Sequence, residues 1–325
     1  MSWGDLVMKI AYHAYELIPR SPLVKKRAGA LLQVEFLNGS IGYSDCHPWT
    51  ELEDLSLNDQ LKLLAQGKVT ALTKRSLQFA RIDAEARAKE INLFSGVHVP
   101  SSHFLLPNLN TWNSKDIEEI LRQGFSHVKI KLGNDIKNQT MRLRAFLSYL
   151  PIRVKVRLDF NMQLSAQTFK FFLDELGDDK YRVDFFEDPF SFDKDQWEHF
   201  QKNEEIALAC DYHSQQAVGH VSAAQILVIK PAVQALLPFQ TAAKTQRLVV
   251  TSYLDHPLGQ LTAAYMAAQL EVGKEICGLV SHKFYQPNPY SEQLSLSHTA
   301  LVPPSGNGFG FDALLKEAQW TSLKT

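Results

Sequence analysis

Cysteine is scarce in this chain of 325 residues, which has only Cys46, Cys210 and Cys277. Three at such wide spacing make neither a disulfide framework nor a CxxC metal knuckle, and they point to a reducing compartment. A surplus of one charge is also lacking: 34 Lys+Arg stand against 35 Asp+Glu, for a formal net charge of -1. Nucleic acid is therefore not expected as a partner, because phosphate binding depends on clustered Lys and Arg. The longest stretch free of Asp, Glu, Lys and Arg, between Asp211 and Lys230, is broken by His213, Gln215, Gln216 and His220. It is too polar to span a bilayer, so no membrane association is expected. The opening Met1-Ser-Trp-Gly-Asp-Leu6 has no basic region leading into an apolar run, the mark of a signal peptide. A strand–GxGxxG–helix unit is missing too. Gly306, Gly308 and Gly310 follow Pro303-Pro304 and read as a tail loop. These absences leave a soluble, cytoplasmic, globular protein.

A hydrophobic fraction of 45% is ample for a core, and the length suits one large domain or two ordinary ones. Residues 29–44 hold two strand-like runs around Asn38-Gly39, the strongest short hairpin signal. A stretch at about 69–93, free of Gly and Pro and rich in Ala, Leu, Arg and Glu, reads as a long helix. Strands and helices in separate blocks suggest a small α+β domain.

From His103 the pattern alternates. Strand-like runs at 103–108, 127–132, 154–160, 182–187, 206–211, 226–230, 247–253 and 277–281 are separated by seven helical segments. Two of these segments are 114–123, entered at Asn113 or Ser114 and closed by Gly124, and 165–176, entered at Ser165. The strands start about 25 residues apart, the spacing of repeated βα units, and eight such strands most simply close into a parallel barrel. The rival is an open doubly wound sheet.

Catalytic groups of such a barrel stand at the C-terminal ends of its strands. Lys129 and Lys131 leave one face of their strand, as do Lys155, Arg157 and Asp159 of the next, while Val, Ile, Leu and Phe leave the other. The outer face of a barrel must be apolar to receive helices, so the charged faces turn inward, where charges need partners or a function. Further strand ends supply Glu187, Asp211 and Lys230. From Lys131 the successive separations are 28, 28, 24 and 19 residues, each near one βα unit. Glu187 alternates in phase with Val183 and Phe185, so a bulge or twist is expected to aim it inward. Three converging carboxylates call for a cation, and oxygen-only ligation points to a hard one, Mg²⁺ first and Mn²⁺ second. Two lysines beside such a site suit removal of the α-proton of a small-molecule carboxylate, with the enediolate charge held by cations.

Several segments carry a family likeness. They are Gly42-Tyr-Ser-Asp45, Asp83-Ala-Glu-Ala-Arg87, Lys129-Ile-Lys131, Arg157-Leu-Asp-Phe-Asn161 and Glu187-Asp-Pro189. Asp211, Lys230 and Thr251-Ser252 before Leu258-Gly259 complete the set. With these the sequence resembles the enolase superfamily, and within it the o-succinylbenzoate synthases of menaquinone biosynthesis, over almost the whole chain. A lysine base beside Mg²⁺ is the arrangement described for enolase-superfamily sites. The resemblance implies an α/β fold, a (β/α)7β TIM-like barrel with an α+β capping domain. The cap would span 1–97, joined by 285–325, and the barrel 98–284. It also implies that Asp159, Glu187 and Asp211 ligate Mg²⁺. Lys131 would be the base, and later the acid toward the departing hydroxyl. Lys230 would stabilise the enediolate and Lys129 would lower the pKa of Lys131, while Arg157, Asn161 and Ser252 would touch substrate. Many relatives have Asp-Glu at the third ligand, whereas Tyr212 follows Asp211 here. Capping segments at Pro19–Arg27 and Asp45–Trp49 are expected over the mouth; Arg20, Cys46, His47 and Trp49 receive no role.

The implied activity is a lyase reaction, dehydration of a hydroxylated succinyl cyclohexadiene carboxylate to o-succinylbenzoate. An N-acylamino acid racemase or dipeptide epimerase would use the same two lysines, and a cycloisomerase is a further member of the group. A Schiff-base aldolase needs an isolated amine rather than three carboxylates. A non-catalytic metal-binding barrel is the alternative from another class.

Overall fold

In the computed structural model, Asn38-Gly39 turns a hairpin between β2 (Arg27–Phe36) and β3 (Ile41–Cys46). Gly39 sits at φ 80°, the left-handed region glycine adopts without strain. The structure describes residues 7–20, 25–106, 108–110, 112–270 and 275–324. The leader reading at residues 1–6, residues 21–24 of the expected mouth-covering segment and Pro107 of the first strand run lie outside them. Among the described residues no helix is long and apolar enough to cross a membrane.

β1 (Val7–Leu17) lies antiparallel to β2, and β13 (Thr321–Ser322) pairs with the far edge of β1, so the chain's last strand joins its first. The long helix expected at about 69–93 is α2 (Ala71–Arg87), opened by a Thr70–Thr73 capping box, and a further helix, α1 (Leu57–Ala65), precedes it. The paired Asp83 and Arg87 on α2 explain the closing glycines. Asp83 accepts from the amides of Tyr43 at 2.8 Å and Phe309 at 2.7 Å, and from Arg87 Nε at 2.6 Å. Arg87 in turn reaches the Gly310 carbonyl at 2.8 Å and Asp312. A Cβ on Gly308 would stand 2.0 Å from Asp83. The glycine run is therefore a docked clamp rather than a free tail.

The second sheet holds seven parallel strands. They are β4 (Phe104–Leu106), β5 (His127–Lys131), β6 (Lys155–Asp159), β7 (Val183–Glu187), β8 (Leu208–Cys210), β9 (Ile226–Ile229) and β10 (Arg247–Val250). The eighth expected strand is reduced to a bridge. Cys277 pairs with Ser102 beside β4 and Gly278 with Thr251 beyond β10, which joins the two edges of the curled sheet. Between strands come α3 (Ser114–Gln123), α4 (Ile136–Tyr149), α5 (Ala166–Leu176), α6 (Lys194–Glu204), α7 (Leu237–Ala242) and α8 (Pro257–Gln269). Asn113 and Ser165 cap α3 and α5, and Gly124 ends α3 at φ 77°. Between β8 and β9 the expected helix is a series of turns interrupted by Gly219 at φ 82°. Toward the C-terminus follow β11 (Ser295–Ser297), β12 (Ala300–Val302) and α9 (Asp312–Glu317).

The strand faces divide as barrel packing requires. Val128, Ile130, Leu158, Phe186, Leu227 and Ile229 join the large core under the helices. Phe185, Ala209, Ile226, Val228 and Val249 form a separate inner cluster. Phe186 meets Phe169 edge-on at 5.5 Å between centroids, and Phe160 packs against both Phe169 and Phe172. Burying each ring contributes about 2–3 kcal/mol, so this aromatic layer fixes β7 firmly. The β7 register shows the expected bulge and gives its position. The bulge is at Asp184, where Val156↔Val183 is followed by Arg157↔Phe185. Beyond it Phe185 faces inward under Arg157, and Glu187 shares that face.

Asp184 plugs the lower end of the barrel. It accepts from Arg157 Nε at 2.8 Å and from Arg247 at 3.0 and 3.2 Å. Removing one partner of a buried pair costs about 3–5 kcal/mol, because the other charge is left alone. Asp184→Ala is expected to lower unfolding stability in urea by that amount, since Arg157 is fully buried. A midpoint matching the parent would show that Asp184 does not hold the plug together.

Candidate active site

The parallel register sets the site out as a row. Lys131 lies opposite Asp159, and Asp159 opposite Glu187, all at the C-terminal ends of β5, β6 and β7. Asp211 follows the last residue of β8 and Lys230 the last of β9. Above them is a cavity of about 580 Å³, lined by Lys129, Lys131, Asp159, Asp211 and Lys230 and by Asn161 and Ser252. Glu187 lies behind this wall, 1% exposed.

The three amines differ in their partners. Lys129 Nζ is 2.6 Å from Glu187 Oε1 and 3.0 Å from Asp159 Oδ2. Lys230 pairs with Asp211. Lys131 makes no hydrogen bond or ion pair with any described residue. The titration behaviour follows. Burial opposes charge on Lys129, but Asp159, Glu187 and Asp211 outweigh it and raise its pKa. For Lys230, Asp211 likewise overcomes burial. For Lys131 burial wins: it lowers the pKa despite Asp159, and the charges of Lys129 and Lys230 add to the effect. The unpartnered amine is thus the one most readily deprotonated.

The carboxylates are unequal too. Burial, then the neighbouring Asp159, pushes Glu187 well above the usual carboxylate range. Asp159 is lowered, because Lys129 and Lys131 overcome its burial. Asp188, between Glu187 and Pro189, has a definite role. Its carboxylate accepts from the amides of Asp211 at 3.1 Å and Tyr212 at 2.9 Å, tying the end of β8 to that of β7.

Two expected contacts part company. Ser252 lines the cavity and donates to Ser281 Oγ at 2.6 Å. Arg157 sits one pleat below Asp159, bonded to Asp184 and to the Ile276 carbonyl at 2.5 Å, and is not part of the cavity wall. Trp49, which drew no role, reaches over the mouth. Its indole N–H donates to the Tyr253 carbonyl at 2.7 Å, and the Arg27 guanidinium lies 3.8 Å above its ring. His47 turns away into a buried group with Tyr15, and Arg20 binds the Tyr285 carbonyl. Only spatial neighbours distinguish these roles; no local spacing signals them.

Comparison with known proteins gives the chain its family. Residues 10–86 match the family model "O-succinylbenzoate synthase, N-terminal domain", and residues 114–313 match "Enolase C-terminal domain-like". A curated o-succinylbenzoate synthase of Bdellovibrio bacteriovorus is 33% identical, over 98% of this chain and 99% of its own. The chain belongs to the o-succinylbenzoate synthase family of the enolase superfamily. It is an enzyme of the lyase class. A dipeptide epimerase from Enterococcus faecalis, complexed with Mg and a dipeptide, has a TM-score of 0.78 at 16% identity, covering 94% of this chain and 99% of its own. Muconate lactonizing enzyme from Pseudomonas putida has a TM-score of 0.73 at 16% identity, covering 97% and 100%. At such identity these two share the fold alone.

Members of the superfamily bind a divalent metal, typically Mg²⁺. The donor set of this chain fits one: Glu187 Oε2 is buried without a partner beside two further carboxylates. As the side chains stand, no three described His, Cys, Asp or Glu residues are gathered closely enough to hold an ion. Lys129 and Lys230 occupy the carboxylates instead. A cation entering among them displaces the proton that the raised Glu187 favours. Mg²⁺ binding near neutral pH is therefore expected to release protons and to strengthen as pH rises. Calorimetric titration in buffers of different ionisation enthalpy measures this release. Asp211→Asn is expected to weaken binding at least tenfold, and binding like the parent's would remove Asp211 from the set.

Proposed function

We propose that this enzyme carries out the Mg²⁺-dependent syn dehydration of 2-succinyl-6-hydroxy-2,4-cyclohexadiene-1-carboxylate to o-succinylbenzoate, a step of menaquinone biosynthesis. The end-to-end match to the Bdellovibrio enzyme carries the reading. In it, Lys131 takes the α-proton, because its amine alone of the three has no carboxylate partner and a lowered pKa. Lys230, charged and half-buried on the opposite wall, meets the negative charge that develops as the α-carbon loses its proton. The protonated Lys131 then gives its proton to the departing hydroxyl, which leaves as water as the ring becomes aromatic. One group serves both steps because a syn elimination keeps base and acid on one face. Lys129 holds Asp159 and Glu187 in place and adds positive charge near Lys131. When bound by Asp159, Glu187 and Asp211, the divalent cation supplies positive charge opposite the substrate carboxylate.

A racemase would need Lys230 as a second base. Its ion pair with Asp211 keeps it protonated and disfavours that role.

Turnover of the cyclohexadiene carboxylate beside a panel of N-succinyl amino acids tests the reading, and turnover of the second class alone would overturn it. Lys131→Ala is expected to lose about 10³-fold or more in kcat, and Lys230→Ala about 10²-fold. Lys129→Ala is expected to be milder. Removing its charge raises the pKa of Lys131, so the rising limb of the pH–rate profile moves to higher pH. A dead Lys129→Ala beside a working Lys131→Ala would exchange the two roles.

A further inference from the structure

Asp45, near the end of β3, and Asp255, between β10 and α8, meet across the seam of cap and barrel. Asp255 is 2% exposed and Asp45 half-buried, and both border one small void between α2 and α8. Their Oδ2 atoms crowd onto Gly259 in the first turn of α8. A Cβ there would stand 2.5 Å from Asp45 and 2.6 Å from Asp255, so glycine lets the two carboxylates lie side by side. Asp45 accepts from the Tyr15 hydroxyl at 2.6 Å and the His256 amide at 3.1 Å. Asp255 Oδ1 has no partner among the described residues, and neither carboxylate forms an ion pair with one. Two adjacent carboxylates with no cation between them cannot both ionise. The other groups around them bring no balancing charge. Burial holds Tyr15, Cys46, Tyr253 and Tyr285 above their ordinary values and His47 and His256 below theirs, so all six are neutral. His13 bears on His256 alone of this group, and α2 presents Leu72, Ser76 and Phe79, which do not titrate. Arg27 bears on His47 and Tyr285 and is itself paired with Glu51, while Asp54 adds a further acid. Burial raises Asp45 above the ordinary carboxylate value, and burial together with Asp45 raises Asp255.

We propose that Asp45 and Asp255 share a proton across the seam, a clasp that joins cap to barrel and loosens when the proton is lost. The two hydrogen bonds to Asp45 favour its ionised form, so the shared proton rests on Asp255. Its departure to solvent leaves two like charges side by side where cap meets barrel. Asp255 is two residues from Tyr253, whose carbonyl and hydroxyl hold Trp49 and Asp54 of the roof. Rising pH therefore acts beside the catalytic cavity, whichever substrate the cavity takes. A carboxyl that keeps its proton only in the folded chain stabilises the fold fully below the unfolded value of about 4. That contribution is lost as pH rises through the raised folded value.

The test compares the parent with Asp255→Asn and Asp45→Asn, full chains in excess Mg²⁺, by urea unfolding and by NMR of ¹³C-labelled aspartate carboxyls. An amide offers the remaining carboxylate a permanent N–H in place of the shared proton. Between about pH 5 and 8 each variant's folding equilibrium constant is expected to gain on the parent's, by up to about tenfold per pH unit. A variant-to-parent ratio that stays constant over that range would mean a purely structural role and overturn the proposal. In the parent spectrum one aspartate is expected to keep its proton above neutral pH. Its signal is expected to be gone from Asp255→Asn and to titrate at lower pH in Asp45→Asn. A signal that Asp45→Asn leaves unmoved would make Asp255 a lone buried acid, and the shared proton would fall. So would a parent in which every aspartate titrates in the ordinary carboxylate range, a result that does not depend on either variant folding.

Discussion

Charges buried inside one barrel are tolerated only where each meets its opposite, and that constraint orders this molecule. The outer faces of the strands are given over to the core beneath the helices, so the Lys, Arg, Asp and Glu residues in alternate positions have nowhere to point but inward. Below, Asp184 neutralises Arg157 and Arg247 and closes the bottom. Above, Glu187 and Asp159 take Lys129, and Asp211 takes Lys230. Among the described charges at the strand ends, the pairing leaves over the amine of Lys131 and the buried carboxylate oxygen Glu187 Oε2. The first suits a base and the second suits a cation, so the chemistry lies in what the pairing leaves unmatched.

The capping sheet is fixed to the barrel by contacts of similar economy. Trp49 is pinned to the loop after β10, and Tyr253 returns a hydrogen bond to Asp54 at 3.0 Å. Deeper in the seam, Asp45 accepts from Tyr15 at 2.6 Å and from the amide of His256 at the start of α8 at 3.1 Å. Those bonds set the height of the roof over the cavity. The Asp83–Arg87 clamp brings the C-terminal segment back onto α2. The family-like segments around Asp45, Asp83 and Leu258-Gly259 are thus the places where cap, tail and barrel meet.

The barrel was legible in the sequence because its packing rule writes itself as alternation. Lys129-Ile-Lys131 and Arg157-Leu-Asp159 show both faces within a few residues, and one βα unit separates each charged strand end from the next. Where neighbours rather than spacing decide, the sequence reading stopped short. The eighth strand survives as the bridge at Cys277 and Gly278, too brief to carry a pattern. The bulge at Asp184 moved Phe185 to the inner face, which alternation alone assigned to the outside. Arg157 read as a substrate contact because nothing local names Asp184 as its partner. Asp188 was passed over because its role depends on the amides that follow β8.

The central claim is that pairing of the other two amines leaves Lys131 as the base. The direct measurement is titration of the lysine side chains, ¹³C-labelled at Cε, by NMR in the Mg²⁺-loaded enzyme. One lysine is expected to titrate below the ordinary value and to be absent from the Lys131→Ala spectrum, while Lys129 and Lys230 stay charged across the range. A Lys131 that titrates at or above the ordinary value, or a low-pKa signal that disappears with Lys129 instead, would contradict it.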